Sequence, residues 1–201
     1  MKACIFDLDG TLTNTLESMT YSVNLTLEEM GLSKITKDQC RLFVGNGARV
    51  LMEKSLKAAG DTDASRIEEG MEIYGRIFDQ NCTYHVTPYE GIPEMLKALK
   101  DKGIHLAVLS NKPDRQTVKV VKAIFGEELF DKVQGQTAEI PRKPSPLGPL
   151  AIAKEFNAKP SECLYMGDTN TDMDTGNAAG MFTIGVTWGF RPRKELRYLH
   201  F

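Results

Sequence analysis

Four short stretches of the 201-residue sequence gather residue types able to do chemistry together. Asp7 and Asp9 stand two apart, with Gly10 and Thr11 following. Ser110, Asn111 and Lys112 are consecutive, Arg142 and Lys143 precede Pro144, and Gly167, Asp168, Thr169 and Asp172 form the fourth group. Taken singly, each group reads as easily as a turn or a helix cap, because Asp, Gly, Ser and Asn serve both. Jointly that reading fails. Four carboxylates repel one another unless a cation sits among them, so Asp7, Asp9, Asp168 and Asp172 predict a metal site. Oxygen-only ligation points to Mg²⁺, which keeps part of its water shell and accepts phosphate oxygens.

Such a gathering requires a scaffold that brings four distant stretches to one edge. Lys2–Leu8, Ile104–Leu109, Cys163–Met166 and Phe182–Val186 are short apolar runs of strand length, and Val133–Gly135 reads as a further short strand. Pro93–Lys102, Pro113–Phe125 and Pro146–Phe156 carry helical patterns between them, two of them opened by a proline in the first turn. Strands alternating with helices predict an α/β fold with a Rossmann-like parallel sheet. Ligands of such a sheet bind beyond the carboxyl ends of its strands, which is where the four polar groups fall. Leu16–Met30, Thr36–Phe43, Gly47–Ala59 and Ala64–Asp79 all look helical, and Thr36 with Gln39 forms a capping-box signature. The expected organisation is therefore a discontinuous core, 1–13 and 83–201, with an all-helical domain inserted at 14–82.

Composition narrows the function classes. Net charge is −2, with 41% hydrophobic and 26% charged residues. That is a globular balance with no electrostatic reason to bind nucleic acid. No run approaches the ~18 apolar residues of a membrane span, and MKACIFDLDG has no signal-peptide core. Cys4, Cys40, Cys82 and Cys163 form no CxxC pair, and His85, His105 and His200 lack zinc-ligand spacing. These features predict a reduced, cytoplasmic protein without nucleic-acid or membrane partners.

DLDGT at 7–11, Ser110, Lys143 and GDxxxD at 167–172 occur in the order of the four motifs of the haloacid dehalogenase superfamily, which the chain resembles over nearly its whole length. The resemblance implies a strand order 3-2-1-4-5 with a helical cap inserted after the first motif. It also implies roles. Asp7 matches the nucleophile, Asp9 the general acid/base, Thr11, Ser110, Asn111 and Lys143 the phosphate-binding groups, and Asp7, Asp9 and Asp168 the metal set. Asp172 matches an orienting residue behind the metal. Asp9 favours phosphoryl transfer over dehalogenation, because a halide leaves without a proton.

The resemblance thus implies a Mg²⁺-dependent phosphatase acting on a small phosphorylated metabolite through an aspartyl-phosphate. A pyrophosphatase, a sugar-phosphate mutase or a non-catalytic phosphoryl-binding domain would carry overlapping motifs. VGNGARVLM at 44–52 and PYEGI at 88–92 resemble segments of phosphoglycolate phosphatases, which makes phosphoglycolate the leading substrate. Gly45, Asn46 and Gly47 would then present a helix N-terminus to an anion, and Arg49 a partner for a carboxylate. The competing reading makes this loop a plain helix entry and pairs Arg49 with surface glutamates. Trp188 with Arg191, Arg193, Lys194 and Arg197 reads as a solvated tail.

Overall fold

The computed structural model describes residues 1–197, so His200 lies outside the described residues, as does the side chain of Arg197. The chain divides into two compact units, one of Met1–Asn14 with the chain from Thr87 on, the other Thr15–Val86. The first unit holds a five-stranded sheet. Its strands are β1 (Ala3–Phe6), β4 (His105–Pro113), β5 (Lys132–Gln136), β6 (Cys163–Gly167) and β7 (Phe182–Gly185), in the order β5-β4-β1-β6-β7 with every pairing parallel. Counted along the main sheet alone, that is 3-2-1-4-5. A second, two-residue pairing joins β2 (Thr13–Asn14) to β3 (Thr87–Pro88) antiparallel, where the chain leaves this unit and returns to it.

β1 is central because both of its faces are apolar. Ala3, Ile5 and Phe6 are fully buried, and Cys4 nearly so. Successive side chains point to opposite faces, so four apolar residues in a row need helices on both sides. One face builds a core from Ala3, Ile5, Ala107, Leu109 and Tyr165 with Ile152 and Ala153. The flanking helices are α5 (Ile92–Asp101), α6 (Asp114–Phe125), α7 (Leu147–Glu155) and α8 (Asn170–Ala178). Asp131 ties the start of β4 in place, accepting from Leu106 N–H at 2.8 Å and Lys100 Nζ at 2.7 Å.

The second unit is all helix: α1 (Leu16–Glu29), α2 (Lys37–Phe43), α3 (Ala48–Ala58) and α4 (Ile67–Asn81). Val23, Leu27, Met52 and Leu56 are fully buried, and Tyr74 stacks on Phe78 with ring centres 5.0 Å apart. Thr36 and Gln39 form the capping box that their spacing predicts. Asn24 pins the loop before α2 by two bonds to the Ile35 backbone, at 3.0 and 2.9 Å.

Two differences from the sequence reading affect function. Helix α8 has no apolar stripe: its buried residues are Thr171, Asp172, Met173, Thr175 and Gly176, mostly small or polar, so periodicity is silent there. β4 continues to Pro113 through a register shift after Leu109, which makes Ser110, Asn111 and Lys112 part of the strand.

Because β1 is enclosed on both faces, Ile5→Ala should destabilise the α/β unit by about 2–5 kcal/mol. Phe182 on β7 is 64% exposed, and Phe182→Ala should stay within about 0.5–1 kcal/mol of wild type. Denaturant unfolding of both variants checks the contrast; equal losses would contradict the central placement of β1.

Candidate active site

The carboxyl ends of β1, β4 and β6 deliver the polar residues. Asp7 is the first residue beyond β1, and its N–H bonds the Met166 carbonyl of β6 at 2.8 Å. The chain then turns tightly, with Leu12 N–H and Thr13 N–H both bonding the Leu8 carbonyl. Gly10 sits in this turn at φ 93°. A side chain there would be strained and would strike the Asp168 carboxylate, so glycine is required on both counts.

Lys143 is the centre of the arrangement. Its ammonium donates to Asp7 Oδ1 at 2.6 Å and to Asp172 Oδ1 at 2.7 Å, and all three side chains are at most 8% exposed. Asp172 is held further by donors from the strand and loop before it: Tyr165 Oη at 3.3 Å, Thr169 N–H at 3.1 Å and Thr169 Oγ1 at 2.7 Å. Thr169 and Asp172 are thus the capping box that starts α8. Asp168 lies alongside, accepting from Thr11 Oγ1 at 3.3 Å and from Phe190 N–H at 2.7 Å. Carboxylate oxygens of Asp7, Asp168 and Asp172 lie within 4.8 Å of one another.

Charge is unbalanced within this cluster. Burial pushes Asp7 well above the usual carboxylate range; Lys143 opposes this, and Asp172 and Asp168 add to it. Burial and then Asp172 push Asp168 up to about 7, against the Phe190 N–H, Lys143 and Thr11. Burial disfavours charge on Lys143 too, yet Asp172 and Asp7 hold its pKa well above the ordinary value. One ammonium therefore faces three carboxylates that it cannot neutralise. The donor set is all oxygen, buried and net negative, and a hard divalent cation fits it.

Several of the expected site residues also make contacts within the protein. Asp9 is outside the three-carboxylate cluster: its Oδ1 accepts from Lys112 Nζ at 2.7 Å. Asn111 braces two loops, its Nδ2 donating to the Lys143 carbonyl at 3.2 Å and its Oδ1 accepting from Lys143 N–H at 2.9 Å. The Thr11 hydroxyl is on Asp168, and Ser110 Oγ accepts from Lys112 N–H at 3.2 Å. The segment read as a solvated tail begins differently: the Trp188 indole donates to the Thr11 carbonyl at 3.1 Å, and Phe190 holds Asp168. Arg191 pairs with Glu195 at 3.6 Å.

Gly45, Asn46, Gly47 and Arg49 belong to the helical unit. Gly47 caps α3 with φ 89°, and Gly45 has φ 109°. Arg49 is half exposed and pairs with Glu68 at 2.5 Å and Glu53 at 3.5 Å, the surface-glutamate arrangement.

Lys112, Tyr165, Thr169 and Gly189 also pack in or against the site, with no role among the four motifs. The Thr169–Asp172 spacing was a readable capping signal; Tyr165 was hidden inside an apolar run.

The family model for haloacid dehalogenase-like hydrolases matches residues 4–186. The chain belongs to that family. It is 34% identical over 190 residues to a phosphoglycolate phosphatase from Aquifex aeolicus, covering 94% of this chain and 86% of that one. A phosphoglycolate phosphatase from Haemophilus influenzae is 32% identical over 200 residues, covering 96% and 88%. A crystal structure described as a predicted phosphoglycolate phosphatase from Haemophilus somnus has TM-score 0.88 and 28% identity, covering 94% and 86%.

Asp168 lies close against two glycines. A Cβ on Gly189 would meet the Asp168 side chain and the Gly10 carbonyl. Gly189→Ala should therefore displace Asp168 and weaken divalent-cation affinity by about tenfold or more. Calorimetric titration with Mg²⁺ reads this directly, and unchanged affinity would remove Gly189 from the account of the site.

Proposed function

We propose that this hydrolase is a phosphoric monoester hydrolase that uses Mg²⁺ and transfers the phosphoryl group through Asp7. The observation that carries the reading is the buried Asp7 carboxylate, held by Lys143 inside an all-oxygen cluster at the end of the central strand. Asp7 and Asp168 are the protein ligands we assign to the ion, with Asp172 holding Lys143 behind them. When bound, Mg²⁺ offsets charge on the carboxylates and on a phosphate ester.

In the first step an Asp7 oxygen attacks phosphorus, and the bond to the leaving oxygen breaks. Asp9, two residues on, gives its proton to the departing alkoxide. In the second step the Asp9 carboxylate takes a proton from water, which attacks phosphorus and frees Asp7 and inorganic phosphate. Lys143 faces the reacting carboxylate throughout and offsets the negative charge that accumulates there.

Phosphoglycolate is the substrate we put first, supported by the names of the relatives and by the family likeness of the 44–52 loop. We assign the protein to the cytoplasm. All four cysteines are free and buried, which suits a reducing compartment.

Phosphate release from phosphoglycolate, pyrophosphate and sugar phosphates, with Mg²⁺ and with chelator, tests the assignment. The expected pattern is Mg²⁺-dependent release, fastest from phosphoglycolate; preference for pyrophosphate or a sugar phosphate would reassign the substrate.

A second test isolates the nucleophile. Asp7→Asn should abolish turnover while leaving the unfolding transition cooperative, because an amide cannot supply the attacking oxygen. Near-normal activity in that variant, with deamidation excluded by mass spectrometry, would end the aspartyl-phosphate mechanism.

A further inference from the structure

Lys112 is a second buried lysine, and the mechanism above makes no use of it. Its side chain is 2% exposed, and its ammonium donates to Asp9 Oδ1 at 2.7 Å; the Asp9 side chain is itself only 16% exposed. Burying an ammonium costs several kcal/mol, and a partner on the surface would not offset that cost. The backbone of Lys112 is fixed on both sides. Its N–H donates to Ser110 Oγ at 3.2 Å, and its carbonyl accepts from the fully buried Thr117 Oγ1 at 3.1 Å. The lysine thus projects from the rigid, irregular end of β4, while Asp9 stands on the turn after β1.

We infer that Lys112 is a positioning residue for Asp9, holding Oδ1 so that Oδ2, which carries the proton in the first step, is aimed at the leaving group. The inference deepens the phosphatase reading and rests on it. A turn residue whose side chain is free to rotate would sample many directions, and misplacing a proton donor by about 1 Å can cost on the order of 10²-fold in rate. Fixing Oδ1 from a separate strand removes most of that freedom. Lys143 serves a different carboxylate, Asp7, so the two lysines divide the two acids between them.

The test exploits leaving-group chemistry. Para-nitrophenolate departs without a proton, whereas the alkoxide of phosphoglycolate needs one. kcat/KM reports only binding and the first phosphoryl transfer, so hydrolysis of the aspartyl-phosphate does not enter it. Lys112→Met, tested in the full chain with Mg²⁺, should lower kcat/KM for phosphoglycolate relative to para-nitrophenyl phosphate by about tenfold. Lys112→Gln keeps a polar group in the pocket and should move the ratio the same way, should the methionine variant fold poorly. In an Asp9→Asn background, Lys112→Met should leave the ratio unchanged, because the residue acts through Asp9.

Equal losses on both substrates would make Lys112 a general phosphate-binding or structural cation and overturn the inference. So would an additive effect in the Asp9→Asn background. A wild-type protein that releases phosphate from neither substrate overturns the phosphatase reading instead, and this role with it.

Discussion

One buried ammonium facing more negative charge than it can cancel is the constraint on which the rest of the structure depends. Lys143 reaches Asp7 and Asp172 together, and Asp168 lies in the same cluster. Three carboxylates at this depth persist only if every available donor is spent on them. Tyr165, Thr169, Thr11 and Phe190 are spent in that way. Losing one partner of such a buried set typically costs about 3–5 kcal/mol. Hence the donors come from strand ends, the start of a helix and tightly packed glycines rather than from loose loops.

The fold explains how such a set is assembled. A central strand that is apolar on both faces can be covered only by helices, and the chain must then turn at each strand's carboxyl end. Those turns are where the polar residues stand. Asp7 follows β1, Asp168 follows β6, and the Asn111 amide of β4 clasps the Lys143 backbone from two sides. The parallel arrangement therefore places residues more than a hundred positions apart within one hydrogen bond of each other.

This arrangement also decides what could be read in the sequence. Apolar runs made the sheet legible, and the acidic spacings pointed to Asp7, Asp168 and Asp172, because these signals are local; that Asp9 would stand apart from the other three was not legible. Helix α8 escaped because it buries Thr171, Asp172 and Thr175, packing by small polar side chains rather than by an apolar stripe. Asn111 was legible as a donor but not as a brace, since its partner lies 32 residues away. Lys112 showed as a cation beside a strand, but nothing local announced that it would be buried against Asp9. Of the two Arg49 partners, Glu53 stands one turn along the same helix and was open to a local reading, whereas Glu68 sits on another helix, 19 residues on, and was not.

Two carboxylates two residues apart in an extended strand would face the same way, crowd one another and compete for one cation. The chain avoids this by ending β1 at Phe6, so that Asp7 and Asp9 both lie past the strand. Each then meets its own lysine, Asp7 from the loop before α7 and Asp9 from the end of β4. Separate counter-charges allow the two acids to carry separate tasks, one attacking phosphorus and the other moving a proton. A single shared lysine would couple their charges and blur that division. The price of keeping them apart is a second buried ammonium, and the irregular end of β4 is the piece of backbone that makes room for it.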